Sequence, residues 1–270
     1  MEKHYRTRPF AKRSLGQNFL VDPRFIERIV AQLDLEACDT VVEIGPGRGA
    51  LTERLVQSDA AVLAIELDRR MIEILADRFG DQPNFRIFEM DALEADLPTI
   101  LSVLHPSPLT GSTKLIGNLP YYISTAILQK LIVERMMFSQ MVLMLQKEVV
   151  ERITAPPGSS DRGFLTVLIE AYFRVERLFD VPPDAFKPQP KIWSSVVRLV
   201  PLDRADLDSQ GFRRLVSSAF AQKRKTILNN LKNIFPNAGD ALRNAGIDPA
   251  RRSETLTLDE WLMLTKLFEY

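Results

Sequence analysis

The 270-residue chain has one cysteine, Cys38, and two histidines, His4 and His105. A lone thiol excludes an internal disulfide framework and any multi-cysteine metal cage, and two histidines are a poor basis for a zinc site. No metal is therefore expected. Excess charge is absent too, since 35 Lys+Arg balance 35 Asp+Glu. Long apolar runs are missing: none approaches the ~18 residues of a membrane helix. The N-terminus, Met-Glu-Lys-His-Tyr-Arg, lacks the apolar core of a secretory signal. These absences predict a cytoplasmic chain with no membrane partner. What is present, 46% hydrophobic and 26% charged residues, suits a folded domain of roughly 200 residues with a smaller appendage.

The zero net charge conceals an uneven distribution. Residues 34–110 carry 15 acidic and 6 basic side chains, a balance of −9. Residues 1–28 carry 7 basic and 3 acidic side chains, and Phe212–Ile234 carries six basic residues with no acid. Two basic ends thus flank an acidic middle, so overall neutrality does not exclude a polyanionic partner.

Asp22 as N-cap and Pro23 at the first helical position, followed by Ile26, Ile29, Val30 and Leu33, predict a short entry helix. Apolar β-rich runs then alternate with helical patterns. The runs are Thr40–Ile44, Ala61–Ile65, Phe85–Met90, Leu115–Asn118 and Gln140–Leu145, with helices over Leu51–Val56, Arg69–Phe79 and Ser124–Val133. Continuously apolar strands fit a sheet covered on both faces, so the expected fold is α/β with a doubly wound, mostly parallel sheet. Arg174–Val181 and Ser194–Val200 read as two further strands, antiparallel at one side. After Pro201-Leu202-Asp203 only helical patterns remain, ending in a helix that Thr257 and Glu260 open as a capping box. The expected division is a cofactor-binding and catalytic domain over 1–202 and a small all-helical domain over 203–270.

Val41-Val42-Glu43-Ile44-Gly45-Pro46-Gly47-Arg48-Gly49 puts three alternating glycines after a buried strand and before a helix. Such a loop lets a ligand approach backbone at the carboxyl end of the first strand. The spacing is G-x-G-x-G rather than the G-x-G-x-x-G of pyrophosphate binders, and Glu43 adjoins it, which suits a cationic, phosphate-free ligand. The next strand ends in Glu66, where a carboxylate can accept from ribose hydroxyls, and the third in Met90-Asp91-Ala92, suited to an adenine amino group. Together these describe a nucleoside site for S-adenosylmethionine. A structural turn beside two surface acids is the alternative, which the successive strand-end placement of Glu66 and Asp91 disfavours.

The fourth strand ends in Asn118-Leu119-Pro120-Tyr121-Tyr122. An amide and a carbonyl before a proline, with an aromatic after it, can surround a planar amine. The lone pair of an exocyclic adenine N6 is delocalised into the ring and attacks poorly. As that nitrogen becomes tetrahedral its hydrogens grow more acidic, so fixed acceptors bind the transition state better than the ground state. Asn118 and the Leu119 carbonyl are the candidate acceptors and Tyr121 the stacking face, although a strand-terminating turn with a core tyrosine fits the same residues. Phe186, in Asp184-Ala185-Phe186-Lys187-Pro188-Gln189-Pro190-Lys191, is a candidate for the other face of an extruded base, with Lys187 and Lys191 placed for phosphates. A loop aromatic plugging the core is the competing reading.

These motifs, together with Ser14-Leu15-Gly16-Gln17-Asn18-Phe19-Leu20, resemble those of the ribosomal RNA adenine N6-dimethyltransferases, most closely the bacterial small-subunit type. The resemblance runs over essentially the whole chain. It implies a Rossmann-like S-adenosylmethionine-dependent methyltransferase fold and cofactor contacts from Gln17, Asn18, Leu20, Gly45, Gly47, Glu66, Asp91, Ala92 and Asn118. It implies dimethylation of two adjacent adenosines in the loop of the 3′-terminal hairpin of 16S rRNA, within the small (30S) subunit, late in ribosome biogenesis and by a monomer. Lys12, Arg13, Arg213, Arg214, Lys223, Arg224 and Lys225 are then candidates for phosphate contact, against the plainer reading of a solvated helix link. The alternatives are a large-subunit dimethyltransferase of the macrolide-resistance type and a non-catalytic ribosome assembly factor.

Overall fold

Asp22 caps the first helix through its side chain, accepting from the Arg24 backbone N–H at 2.9 Å, with Pro23 at the first position. The computed structural model describes residues 18–104, 111–204, 207 and 209–268. Contacts group the chain into two units. The first runs to Lys147 and resumes over Glu176–Val200; the second takes Glu148–Val175 and then Pro201 onward.

The first unit alternates strand and helix: β1 (Phe19–Leu20), α1 (Pro23–Ala31), β2 (Thr40–Ile44), α2 (Thr52–Leu55), β3 (Ala61–Glu66), α3 (Arg69–Phe79), β4 (Phe85–Glu89), α4 (Leu97–Leu104), β5 (Thr113–Asn118), α5 (Ser124–Glu134) and β6 (Gln140–Gln146). Three more strands are β7 (Phe173–Val181), whose first three residues belong to the second unit, β8 (Phe186–Lys187) and β9 (Ser194–Pro201), whose last residue does. Seven of these strands form one sheet in the order β4-β3-β2-β5-β6-β9-β7. The pairs among β2 to β6 are parallel and β9 runs antiparallel to β6. The chain winds from β2 outward to β4, then returns to place β5 on the other side of β2. Between β2 and β5 lies the switch point, the crevice where ligands of doubly wound sheets bind. Register aligns Ile44 with Ile65 and Gly117, so the carboxyl ends of β2, β3 and β5 meet at one edge. The core takes Val62, Val41, Ile116, Val142 and Val196 from five adjacent strands. A separate two-stranded sheet pairs β1 with β8, setting Leu20 opposite Phe186.

The second unit is helical: α6 (Lys147–Ile153), whose first residue belongs to the first unit, α7 (Phe164–Tyr172), α8 (Ser209–Ala219), α9 (Ile227–Leu231), α10 (Ala238–Asn244) and α11 (Leu258–Phe268). This grouping differs from the single division after residue 202 expected from the sequence. Seven of the nine residues of α7 are buried, so that helix needs cover all round. The Tyr172 ring meets Phe212 of α8 edge-on at 6.0 Å. The predicted capping box is present, with Thr257 N–H on Glu260 Oε2 at 2.8 Å and Glu260 N–H on Thr257 Oγ1 at 3.2 Å.

Candidate functional site

A cavity of about 170 Å³ opens at the carboxyl edge of β2, β3 and β5 and reaches the residues after β4. The glycine loop forms its floor. Gly47 and Gly49 take φ of +57° and +81°, the left-handed region that glycine alone enters without strain. A Cβ on Gly49 would lie 2.6 Å from the Phe79 ring, and one on Gly47 would lie 3.1 Å from Phe19. The loop is thus pressed against α3 on one side and β1 on the other, where the Arg48 guanidinium sits 4.3 Å from the centroid of Phe19.

Two carboxylates on this edge are withdrawn from water. Glu43 is 1% exposed, and burial, reinforced by the charge of Glu66, lifts its carboxyl to about 7 although the Thr52 hydroxyl donates to it at 2.7 Å. Burial also raises Glu66, against three backbone N–H groups that favour its ionised form. Leu67 and Asp68 donate to Oε1, each at 2.9 Å, and Gly47 donates to Oε2 at 3.1 Å. Glu66 therefore pins the glycine loop. A carboxylate has about four acceptor positions, so a ligand finds roughly one open unless it replaces Gly47, the longest of the three bonds. Asp91 lines the cavity with Met90 and Ala92, and its Oδ1 accepts from Leu93 N–H at 2.8 Å.

Asn118 ends β5, and its Nδ2 donates to the Asn18 carbonyl at 3.3 Å. With the amide nitrogen committed to the segment entering β1, the amide oxygen is the group offered to a donor. Leu119 N–H bonds Met144 O at 3.1 Å, fixing the chain where it leaves the sheet. Tyr121 lines the cavity, its hydroxyl 3.0 Å from Ser194 Oγ at the start of β9, and burial raises its phenol above the usual value.

Of the residues expected at the site, Asn18, Leu20, Gly45, Gly47, Glu66, Asp91, Ala92, Asn118, Leu119 and Tyr121 all line this cavity. Gln17, Lys12 and Arg13 lie outside the described residues. Phe186 requires correction: it is 2% exposed, belongs to the core with Leu20 and Val196, and does not line the cavity. Pairing of β8 with β1 turns its ring inward. Lys187 and Lys191 are exposed in the first unit, and Arg213, Arg214, Lys223, Arg224 and Lys225 are exposed in the second. Thr52 and Ser194 were not anticipated. Thr52 could have been read as a partner for a buried Glu43, whereas the link from Ser194 to Tyr121 spans 73 residues and leaves no local signal.

The cavity fits a cationic nucleoside. Glycines open the loop, Glu43, Glu66 and Asp91 supply acceptors and negative charge, and Ile44, Ile65 and Leu67 supply apolar wall. Among the described residues, no group of three or more His, Cys, Asp or Glu side chains is placed to hold a metal ion, and no helix is long and apolar enough to cross a membrane.

The profile of the family described as ribosomal RNA adenine dimethylase matches residues 10–269. The chain belongs to this family. Like its relatives, this dimethylase takes its methyl group from S-adenosylmethionine and is an rRNA methyltransferase. It is 40% identical to ribosomal RNA small subunit methyltransferase A of a Geobacillus species, over 96% of this chain and 92% of that one. Identity to the protein of the same name from Laribacter hongkongensis is 44%, over 96% of each. Among solved structures, the dimethylase resembles a dimethyladenosine transferase from Plasmodium falciparum, with a TM-score of 0.78 and 28% identity over 92% of this chain and 96% of that one. It also resembles the 23S rRNA methyltransferase ErmE, with a TM-score of 0.67 and 26% identity over 92% of this chain and 98% of that one.

Proposed function

We propose that the protein dimethylates N6 of two adjacent adenosines in the loop of the 3′-terminal hairpin of 16S rRNA, acting as a monomer on the small (30S) subunit in the cytoplasm, late in ribosome biogenesis. The observation that carries this reading is the 40% and 44% identity, along nearly the full length, to proteins named for the small subunit. The 23S rRNA methyltransferase stands at 26%.

Bound in the cavity, S-adenosylmethionine supplies an electrophilic methyl group. Glu66 and Asp91 would hold the ribose and adenine of that ligand, the glycine loop would admit it, and Asn18 and Leu20 would contact it, with Gln17 a further candidate. The Asn118 amide oxygen and the Leu119 carbonyl accept the hydrogens of the target amine, two before the first methylation and the one that remains before the second. Their hold strengthens as the nitrogen pyramidalises, which is where the rate gain arises. Tyr121 stacks on the target base, and its bond to Ser194 keeps the ring at a fixed angle. No metal, strong base or covalent enzyme intermediate is required. Lys187 and Lys191 meet phosphates near the site, while Lys12, Arg13, Arg213, Arg214, Lys223, Arg224 and Lys225 add sequence-independent attraction to RNA. The helical 203–270 segment serves as the RNA- and ribosome-contacting part.

Unmodified small and large subunits incubated separately with labelled cofactor test the reading. Mass mapping should place four methyl groups on two neighbouring adenines near the 3′ end of 16S rRNA. Label in the large subunit alone would move the protein to the macrolide-resistance type.

A further inference from the structure

S-adenosylmethionine is a nucleoside with an amino-acid arm, and the residues assigned above account for only part of it. Glu66 and Asp91 face the ribose and adenine, and the methyl group has to meet Asn118 and Leu119. The sulfur carries one further substituent, an arm that ends in an ammonium and a carboxylate. That carboxylate is the one anionic group of an otherwise cationic ligand. Against the acidic wall of Glu43, Glu66 and Asp91 it is repelled unless a cation meets it.

Of the described residues that line the cavity, Arg48 alone carries positive charge. The loop fixes its backbone. Gly47 and Gly49 flank it in the left-handed conformation, Gly49 N–H bonds Pro46 O at 2.9 Å, and the Arg48 carbonyl accepts from Arg78 Nη1. Its side chain is placed as well, with the guanidinium 4.3 Å from the centroid of Phe19, a ring that lines the same cavity and packs on Gly47. A π-face orients a guanidinium without neutralising it, so Arg48 keeps its full charge there. Neighbouring arginines are committed to carboxylates: Arg70 lies 2.8 Å from Asp68 and Arg78 lies 3.0 Å from Glu53.

The sheet order β4-β3-β2-β5 sets the direction of the ligand. Adenine at the end of β4 and ribose at the end of β3 carry the sulfur toward β2 and β5. Beside β2 the wall is the glycine loop that follows it, with Phe19 packed against Gly47.

We propose that Arg48 binds the carboxylate of S-adenosylmethionine, holding the amino-acid arm beside Phe19 while the acidic strand ends hold the nucleoside. Guanidinium and carboxylate match as a planar pair joined by charge-assisted hydrogen bonds. One cationic point in an acidic surround also gives the ligand a single orientation, because a reversed ligand would set its carboxylate against Glu66 or Asp91. The proposal rests on the placement of ribose and adenine at those two residues.

Titration calorimetry on the full chain tests it with two ligands, S-adenosylmethionine and its decarboxylated analogue, which keeps the sulfonium and the amine and lacks only the carboxylate. Arg48→Gln should raise the dissociation constant for S-adenosylmethionine at least about 10-fold, the order of one lost charge-assisted hydrogen bond. Its dissociation constant for the decarboxylated analogue should stay within about twofold of wild type, which also shows the cavity intact. Arg48→Lys, which keeps the charge without the planar fork, should recover part of the loss. Equal weakening of both ligands by Arg48→Gln would overturn the proposal and leave Arg48 as a support for the loop through Phe19; unchanged affinity for S-adenosylmethionine would overturn it outright. Glu66→Gln should weaken both ligands alike. Wild-type affinities for both in that variant, with Arg48→Gln still discriminating between them, would remove the nucleoside placement and leave the carboxylate contact standing.

Discussion

Replacing Glu43 by Gln isolates the consequence of burying a carboxylate beneath the glycine loop. In the folded chain its carboxyl is raised from 4.5 to about 7, first by burial, with the neighbouring charge of Glu66 adding and the Thr52 hydroxyl opposing. In the unfolded chain it titrates near the ordinary value. The folded state therefore holds the proton more tightly, and the stabilisation this provides is complete below about pH 4.5 and lost as pH rises through about 7. The difference in proton affinity corresponds to about 3 kcal/mol. Glutamine keeps the shape, accepts the Thr52 bond and does not titrate. Whatever the buried amide costs is independent of pH, so the signature is the change in the difference between the two proteins. By scanning calorimetry, the melting temperature of Glu43→Gln relative to wild type should rise by roughly 6–12 °C between pH 4.5 and 8, at ~2–4 °C per kcal/mol. It should be level above pH 8. At pH 8 the variant should also bind S-adenosylmethionine more weakly, having lost a negative charge beside a cationic ligand. A melting difference that stays constant across this range would refute the assignment of a buried, titrating carboxylate.

Asn118→Ala is expected to abolish methyl transfer to small subunits with a cofactor dissociation constant, read by calorimetry, within about threefold of wild type, since its acceptor acts mainly on the transition state. Glu66→Gln sets an amide N–H against a backbone donor, because Oε1 and Oε2 both accept from the chain. Loss of a charge-assisted bond of ~1.5–3 kcal/mol should weaken cofactor binding roughly 10- to 150-fold. Phe186→Ala should cost ~3–5 kcal/mol of stability in urea unfolding, because the ring is core; a stability unchanged from wild type together with weakened RNA binding would restore it as a stacking face.

Local patterns made much of the first unit legible. Thr40–Ile44 is a strand over the expected residues, because an apolar β-rich run bounded by a glycine loop admits little else. Arg69–Phe79 is a helix as expected, its Asp68 cap accepting from Arg70 N–H at 3.2 Å. Helices α6 and α7 were not anticipated. In Phe164–Tyr172 seven of nine residues are buried, so no polar stripe recurs at helical spacing and the run reads equally as a strand.

The chain by itself determined the chemistry on offer: an acidic strand-end set, a loop of alternating glycines, and an amide before Leu-Pro-Tyr, each encoded within a few residues. Tertiary structure decided which groups face the ligand. Glu43 and Phe186 became buried, and the Asn118 amide was turned by a carbonyl 100 residues away in sequence. Burial and hydrogen-bond partnership depend on what lies opposite in space, and pairings such as Leu20 with Phe186 are set by sheet register over long sequence separations.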